Sequence, residues 1–291
     1  MIIVRLTGGL GNQMFQYAMG RRLAEKHNTE LKLDISGFEN YKLRKYSLNH
    51  FNIQENFATP EEISRLTSVK QGRIEKLLRR ILRKRPKKPN TYIREKHFHF
   101  DPEILNLPDN VYLDGYWQSE KYFKDIEDII RREFTIKNPQ TGKNKEIAEQ
   151  IQSCNSVSLH VRRGDYVTNP TTNQVHGVCG LDYYQRCVDY IAKKVENPHF
   201  FVFSDDPEWV KENLKIDYPT TFVDHNGADK DYEDLRLMSQ CKHHIIANST
   251  FSWWGAWLNS NPDKIVIAPK KWFNTSDMDT KDLIPENWIK L

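Results

Sequence analysis

Two βα-type domains facing a cleft are predicted by three features of this 291-residue sequence. A strand, a glycine turn and a helix open the chain, and the same alternation restarts near residue 157. Between the halves, Asn138 to Lys145 is polar and carries Pro139 and Gly142. The length suits one large α/β unit or two domains. An apolar fraction of 38%, with 7 Trp, 13 Tyr and 14 Phe, is enough to bury a core and excludes a disordered chain.

In the first half, Ile2 to Leu6 is a β-rich run. Asn12 to Lys26 places Met14, Phe15, Ala18, Met19 and Leu23 at helical spacing, and Leu31 to Ile35 is a second strand. Ala58 to Pro89 reads as mainly helical, Val111 to Leu113 as a strand and Ser119 to Phe134 as helical. In the second half, strands are expected at Val157 to Val161, His199 to Ser204, Thr221 to Val223, His244 to Ala247 and Lys264 to Ala268. Helices are expected at Asp182 to Glu196, Pro207 to Leu214, Asp231 to Cys241 and Ser252 to Asn259. Ligands of such sheets bind beyond the carboxyl ends of strands, so the loops after Leu6, Val161, Ser204 and Ala247 hold the chemistry.

Charge and cysteines narrow the class. Ten Lys or Arg lie between Lys70 and Lys88 against Glu75 alone, a local +9 in a chain of net charge +4. Ile74, Leu77, Leu78, Ile81 and Leu82 recur there at helical spacing, which predicts an amphipathic basic helix ended by Pro86. It is either a solvated helix packed on the core or a contact with anionic membrane or an acidic partner. No zinc-finger or RNA-binding signature accompanies it, so nucleic acid is not an expected partner. Cys154, Cys179, Cys187 and Cys241 show no metal-ligand spacing, and reduced thiols are expected. With no charged start leading into an apolar stretch and no uncharged span free of polar residues, a cytosolic enzyme is the expected class.

Thr7-Gly8-Gly9-Leu10-Gly11-Asn12-Gln13 sets glycines at a strand-to-helix turn, where a ligand can approach the backbone and a helix start offers N–H groups. Neither the Rossmann spacing nor a Walker lysine is present. His160-Val161-Arg162-Arg163-Gly164-Asp165-Tyr166 ends an apolar strand with two guanidinium groups, suited to bidentate pairing with phosphate or to pairing with nearby acids. Period two puts His160 and Arg162 on one face. Asp205 or Asp206 is a helix N-cap or a reader of guanine N–H donors. Asn248-Ser249-Thr250-Phe251-Ser252-Trp253-Trp254 is a capped turn over a buried tryptophan pair or a second phosphate cradle. Asp229-Lys230-Asp231 and Asp277-Met278-Asp279 have a metal-binding D-x-D form but follow no apolar strand, so both read as solvated turns and no metal is expected.

Together, Gly8 to Gln16, His160 to Tyr166, Ser249 to Trp257 and the block Asp114-Gly115-Tyr116-Trp117-Gln118-Ser119-Glu120-Lys121-Tyr122-Phe123 resemble the α-1,2-fucosyltransferases of glycosyltransferase family 11, in that family's order. The resemblance implies a GT-B-like fold of two Rossmann-like domains, with 1–145 on the acceptor side and 146–291 holding GDP-β-L-fucose. It implies inverting transfer of L-fucose to the 2-hydroxyl of a terminal β-galactose, without metal or cofactor. On this reading Arg162, Asp165 and Asn12 are the catalytic candidates, with Arg162 at the β-phosphate and His160 near the nucleoside. Asp165 is either a base or a salt-bridge partner of Arg163. Gly9, Gly11, His160, Arg162, Asp205, Asp206, Ser249, Thr250 and Phe251 are donor contacts, and Gln13, Asp114 and Trp117 are acceptor contacts. The expected partners are GDP-fucose and a galactose-terminated oligosaccharide, with peripheral contact between 70–88 and anionic membrane at its inner face. Rival classes are another GDP-fucose-dependent fucosyltransferase, a sulfotransferase with an adenine-nucleotide donor, and a glycan-binding module without catalysis.

Overall fold

The computed structural model describes residues 1–39, 44–68, 89–275 and 277–291. Within them the chain divides into two units, Met1–Asn49 with Ile53–Glu133, and His50–Asn52 with Phe134–Leu291.

The first unit is built on a parallel sheet of order β2-β1-β4-β3. Its strands are β1 (Ile2–Arg5), β2 (Leu31–Asp34), β3 (Tyr92–Arg94) and β4 (Val111–Asp114). Ile2, Ile3 and Val4 in succession are fully buried, as a parallel strand covered on both faces requires. Helix α1 (Leu10–His27) follows β1 and ends at Asn28 in the left-handed conformation, with Lys26 and His27 in its last turn. Gly20 lets α1 lie close on the sheet, because a Cβ there would come within 2.8 Å of Leu31 and 3.1 Å of Val4. Helix α2 (Pro60–Thr67) starts with a capping box between Thr59 and Glu62 and sets Leu66 against Ile3 and Tyr112.

The second unit carries a parallel sheet of order β10-β9-β8-β5-β6-β7. These strands are β5 (Asn155–Val161), β6 (Pro198–Ser204), β7 (Thr220–Val223), β8 (His243–Ile245), β9 (Val266–Ala268) and β10 (Ile289–Lys290). Alternation along β5 divides two cores. Val157, Leu159 and Val161 pack with Tyr184, Val188 and Ile191 of a helix at Leu181–Ala192, while Phe201 and Phe203 of β6 face Ile147, Ile151, Leu237 and Met238 on the other side.

Two parallel-sheet α/β units bear out the expected fold class, and several elements differ from expectation. The change of unit falls between Glu133 and Phe134 rather than at 145/146. Glu133 accepts hydrogen bonds from Tyr17 and Arg21 of the first unit, whereas the Phe134 ring packs on Phe51 and Trp254 of the second. Residues 119–134 form two 3-10 turns and then α3 (Glu127–Glu133), because Phe123 leaves helical geometry (φ −141°) to bury its ring near Phe15. Helix α4 (Gly142–Ser153) occupies the expected linker; Gly142 enters it at φ +53°. Short helices α5 (Gly164–Thr168) and α6 (Pro170–His176) precede α7 (Leu181–Ala192), and strands β3 and β10 were not expected. Beyond them lie α8 (Pro207–Asn213), α9 (Asp231–Gln240) and α10 (Thr250–Leu258). The basic segment 70–88 lies outside the described residues.

Candidate active site

In the second unit, β5, β6 and β8 are adjacent and parallel, so their carboxyl ends bring three sequence-distant loops together. His160 is the penultimate residue of β5. Its ring is buried 5.6 Å from that of Phe251, and burial beside Arg162 pushes its pKa down to about 3, so the imidazole is neutral at physiological pH. Strand β5 stops at Val161, and the two arginines that follow take separate partners. Arg162 Nη1 lies 2.7 Å from Asp205 Oδ2, Nη2 pairs with Asp165 Oδ1, and the guanidinium sits 5.1 Å from the Tyr166 ring centre. Arg163 Nε lies 2.9 Å from Asp206 Oδ2, and its guanidinium lies 3.5 Å over the Trp209 ring.

The acids at the end of β6 therefore brace the arginine loop. Asp206 occupies the N-cap position of α8 but makes no side-chain cap bond, because its carboxylate is turned to Arg163. Asp205 accepts from the Arg163 backbone N–H at 2.8 Å as well as from Arg162. Gly164 is required beside it, since a Cβ would fall 2.2 Å from Asp205 Oδ2. With both oxygens engaged on the loop, Asp205 has the geometry of a brace rather than of a guanine reader. Asp165 is bound to Arg162, not to Arg163.

At the end of β8, Asn248 is a hub that sequence reasoning passed over. Its Nδ2 donates to the carbonyls of His176 (3.0 Å) and Trp272 (3.2 Å), which ties the sheet end to α6. Helix α10 then begins with Ser249 at its N-cap, with no side-chain cap bond and no acidic residue in its first turn. That start, with Thr250 and Phe251, suits an anion. Trp253 and Trp254 are buried core. Tyr166, stacked on His176 with centroids 4.6 Å apart, is a further aromatic of this loop that strand-end reasoning missed.

In the first unit, Gly8 adopts φ +77°, and a Cβ there would meet Asn12 Nδ2 at 2.5 Å. Helix α1 has Gly9 at its N-cap, with no side-chain cap bond and no acid in its first turn, while Gly11 is buried within that turn. Asn12 Oδ1 accepts from Gln118 Nε2 at 2.9 Å. Two of the expected acceptor contacts take other work. Gln13 is fully buried, donating to the carbonyls of Gly8 and Lys45 and accepting from the Ser47 N–H, so it braces the 44–47 segment. Trp117 is fully buried against Tyr122 in the left-handed conformation (φ +55°). Asp114 is held by Arg5 and the Tyr92 hydroxyl. Among the described residues no group of three or more His, Cys, Asp or Glu is placed to hold a metal ion. Asp231 opens α9, and Asp279 accepts from the Lys281 N–H. All four cysteines are free.

A profile of Glycosyl transferase family 11 matches residues 1–291. The chain belongs to glycosyltransferase family 11. An alpha-1,2-colitosyltransferase of Escherichia coli is 36% identical over 296 residues, covering 100% of this chain and 98% of that protein. The O-antigen biosynthesis glycosyltransferase WbnK of Escherichia coli is also 36% identical, over 98% of this chain and 99% of its own length. Human galactoside alpha-(1,2)-fucosyltransferase 1 is 31% identical over 165 residues, 54% of this chain and 45% of the human protein. Among solved structures, an Arabidopsis thaliana FUT1 mutant in complex with GDP aligns with 98% of this chain and 74% of its own, at TM-score 0.53 and 12% identity. That likeness extends the fold over both units. As a family 11 member the chain is a glycosyltransferase, and the Arg162 loop and the α10 start belong to the part of the family fold built on the six-stranded sheet.

Proposed function

We propose that this family 11 enzyme transfers L-fucose from GDP-β-L-fucose to the 2-hydroxyl of a terminal β-galactose, with inversion at the anomeric carbon. The observation that carries this reading is Arg162. It is a guanidinium at the end of a buried strand, oriented by Asp165 and Asp205, and that strand neighbours β8, whose end leads into α10. As the bond from sugar to diphosphate breaks, negative charge grows on the leaving phosphate. A bidentate guanidinium and a helix start stabilise that charge, each by about 3 kcal/mol if comparable to an oxyanion-hole donor. The second unit holds the donor and the first recognises the acceptor. Bound to Arg162, Asp165 positions the guanidinium; Asn12, held by the buried Gln118, offers an amide suited to sugar hydroxyls. With this charge supplied by the chain itself, no metal is assigned to the reaction.

A second reading has one specific support, the full-length identity to an α-1,2-colitosyltransferase. Colitose is 3-deoxy-L-fucose, so the two donors differ by a single hydroxyl, and a site that hydrogen-bonds that hydroxyl discriminates against its absence. The test is to incubate the enzyme in EDTA with GDP-fucose or GDP-colitose and lactose, lacto-N-biose or N-acetyllactosamine, and to assign the product linkage by NMR. An α-linked fucose on O2 of galactose supports the proposal. Transfer from GDP-colitose alone replaces the donor, and transfer restored only by manganese overturns the metal-free route.

A further inference from the structure

Gly115, Tyr116 and Trp117 follow β4 at the carboxyl edge of the first unit's sheet, and each is fixed by a separate contact. The Glu95 carboxylate, just past β3, accepts the Tyr116 N–H at 2.7 Å and the Trp117 N–H at 3.0 Å. Gln16 Nε2 donates to the Gly115 carbonyl at 3.2 Å. A Cβ at Gly115 would come 2.5 Å from Glu95 Cβ and 2.8 Å from the Trp117 ring, so only glycine allows the carboxylate to curl over this turn. Trp117 is driven inward in a left-handed conformation that non-glycine residues rarely adopt. Its neighbour Tyr116 is left 42% exposed. Strain held in place by surrounding contacts is characteristic of ligand sites.

We propose that Tyr116 is the aromatic platform on which the acceptor's terminal β-galactoside rests, a reading that builds on the acceptor role given above to the first unit. In β-galactose the axial 4-hydroxyl leaves the C3, C4 and C5 hydrogens on one face, an apolar patch that suits an aromatic ring. Complementary polar chemistry lies close to Tyr116 in sequence. Asp114, two residues before it, is a carboxylate shared with Arg5, and the buried Gln118, two residues after it, fixes the Asn12 amide. A partly exposed tyrosine on a rigid turn pays little backbone entropy on binding, because that backbone is already fixed. The tryptophan that the sequence suggested for this task serves to anchor the turn.

The test measures steady-state constants for GDP-fucose and lactose together with saturation-transfer NMR of methyl β-D-galactoside, on the full chain and on Tyr116→Ala, Tyr116→Leu and Tyr116→Phe. Tyr116→Ala is expected to raise the lactose KM about tenfold or more, with the GDP-fucose KM within about twofold. Tyr116→Phe keeps the ring and should stay near the wild type. Tyr116→Leu, which retains apolar bulk without an aromatic face, should behave as the alanine variant and gives the same reading if that variant does not fold. An unchanged lactose KM in the alanine and leucine variants of an active enzyme overturns the inference while leaving the proposed reaction intact. If the wild type transfers no sugar but saturates methyl β-D-galactoside and Tyr116→Ala does not, the reaction fails and the platform stands. Absence of saturation in both overturns the platform.

Discussion

Arg162 sits between two carboxylates, and that arrangement separates a base from a positioning group. Asp165→Asn should lower kcat less than loss of Arg162 does and leave the acid limb of the pH–rate profile in place. Disappearance of that limb would make Asp165 the base. Beneath the site, the His244 ring is fully buried with neither nitrogen hydrogen-bonded among the described residues, and burial holds its pKa well below the ordinary value. Its native state refuses a proton that the unfolded chain takes up near pH 6.5, so the stability it permits at neutral pH is lost as pH falls below that value. Asp234, pushed up to about 7 by burial, acts with the opposite sign, costing stability as pH rises from 3.8 through 7. A variant difference isolates one group. His244→Leu should gain on the wild type by about 1.4 kcal/mol per pH unit below 6.5 in urea denaturation, and parallel stability curves would contradict this.

At the scale of elements, the arginine loop is held by the first residue of α5. Gly164→Ala forces the Asp205 carboxylate aside and Arg162 with it; kcat/KM should fall about tenfold or more while Tm changes by only a few degrees. A Tm loss as large as that of a core truncation would mean that the glycine serves the fold instead. This loop was legible in the sequence because the apolar residues Val157, Leu159 and Val161 alternate along β5, which placed the arginines at a strand end. The neighbouring helices α5 and α6 were not, because residues 164–176 carry little apolar periodicity and are held by polar contacts such as Asn169 accepting from Thr171 and Thr172. Helix α4 was hidden by Gly142 and a polar first turn. The burial of Trp117 and exposure of Tyr116 depend on a left-handed φ and a carboxylate just past another strand, and neither leaves a trace in spacing.

Over the whole molecule, the strand-helix alternation made β1, β2, β4 and β5 to β9 readable but not β3, β10 or the strand orders, and the four sequence blocks agree with family membership over residues 1–291. The change of unit was displaced because proline and glycine mark turns, whereas the division depends on which core receives Phe134. No helix among the described residues is long and apolar enough to cross a membrane. The +9 segment at 70–88, on a chain otherwise at −5, predicts salt-sensitive co-sedimentation with anionic vesicles. A variant with Arg79, Arg80, Arg83, Lys84 and Arg85 changed to Gln should lose it, and equal sedimentation of both proteins would leave the segment as a solvated surface. Arg162 is proposed to meet the charge developing on the leaving diphosphate. That role is read from kcat for transfer from GDP-fucose to lactose in EDTA by the wild type, Arg162→Ala and Arg162→Lys. A loss of about 10²–10³ is expected in Arg162→Ala with little rescue by lysine, the fold being retained. Near-wild-type turnover in Arg162→Ala, or a larger loss in Arg163→Ala, would contradict it.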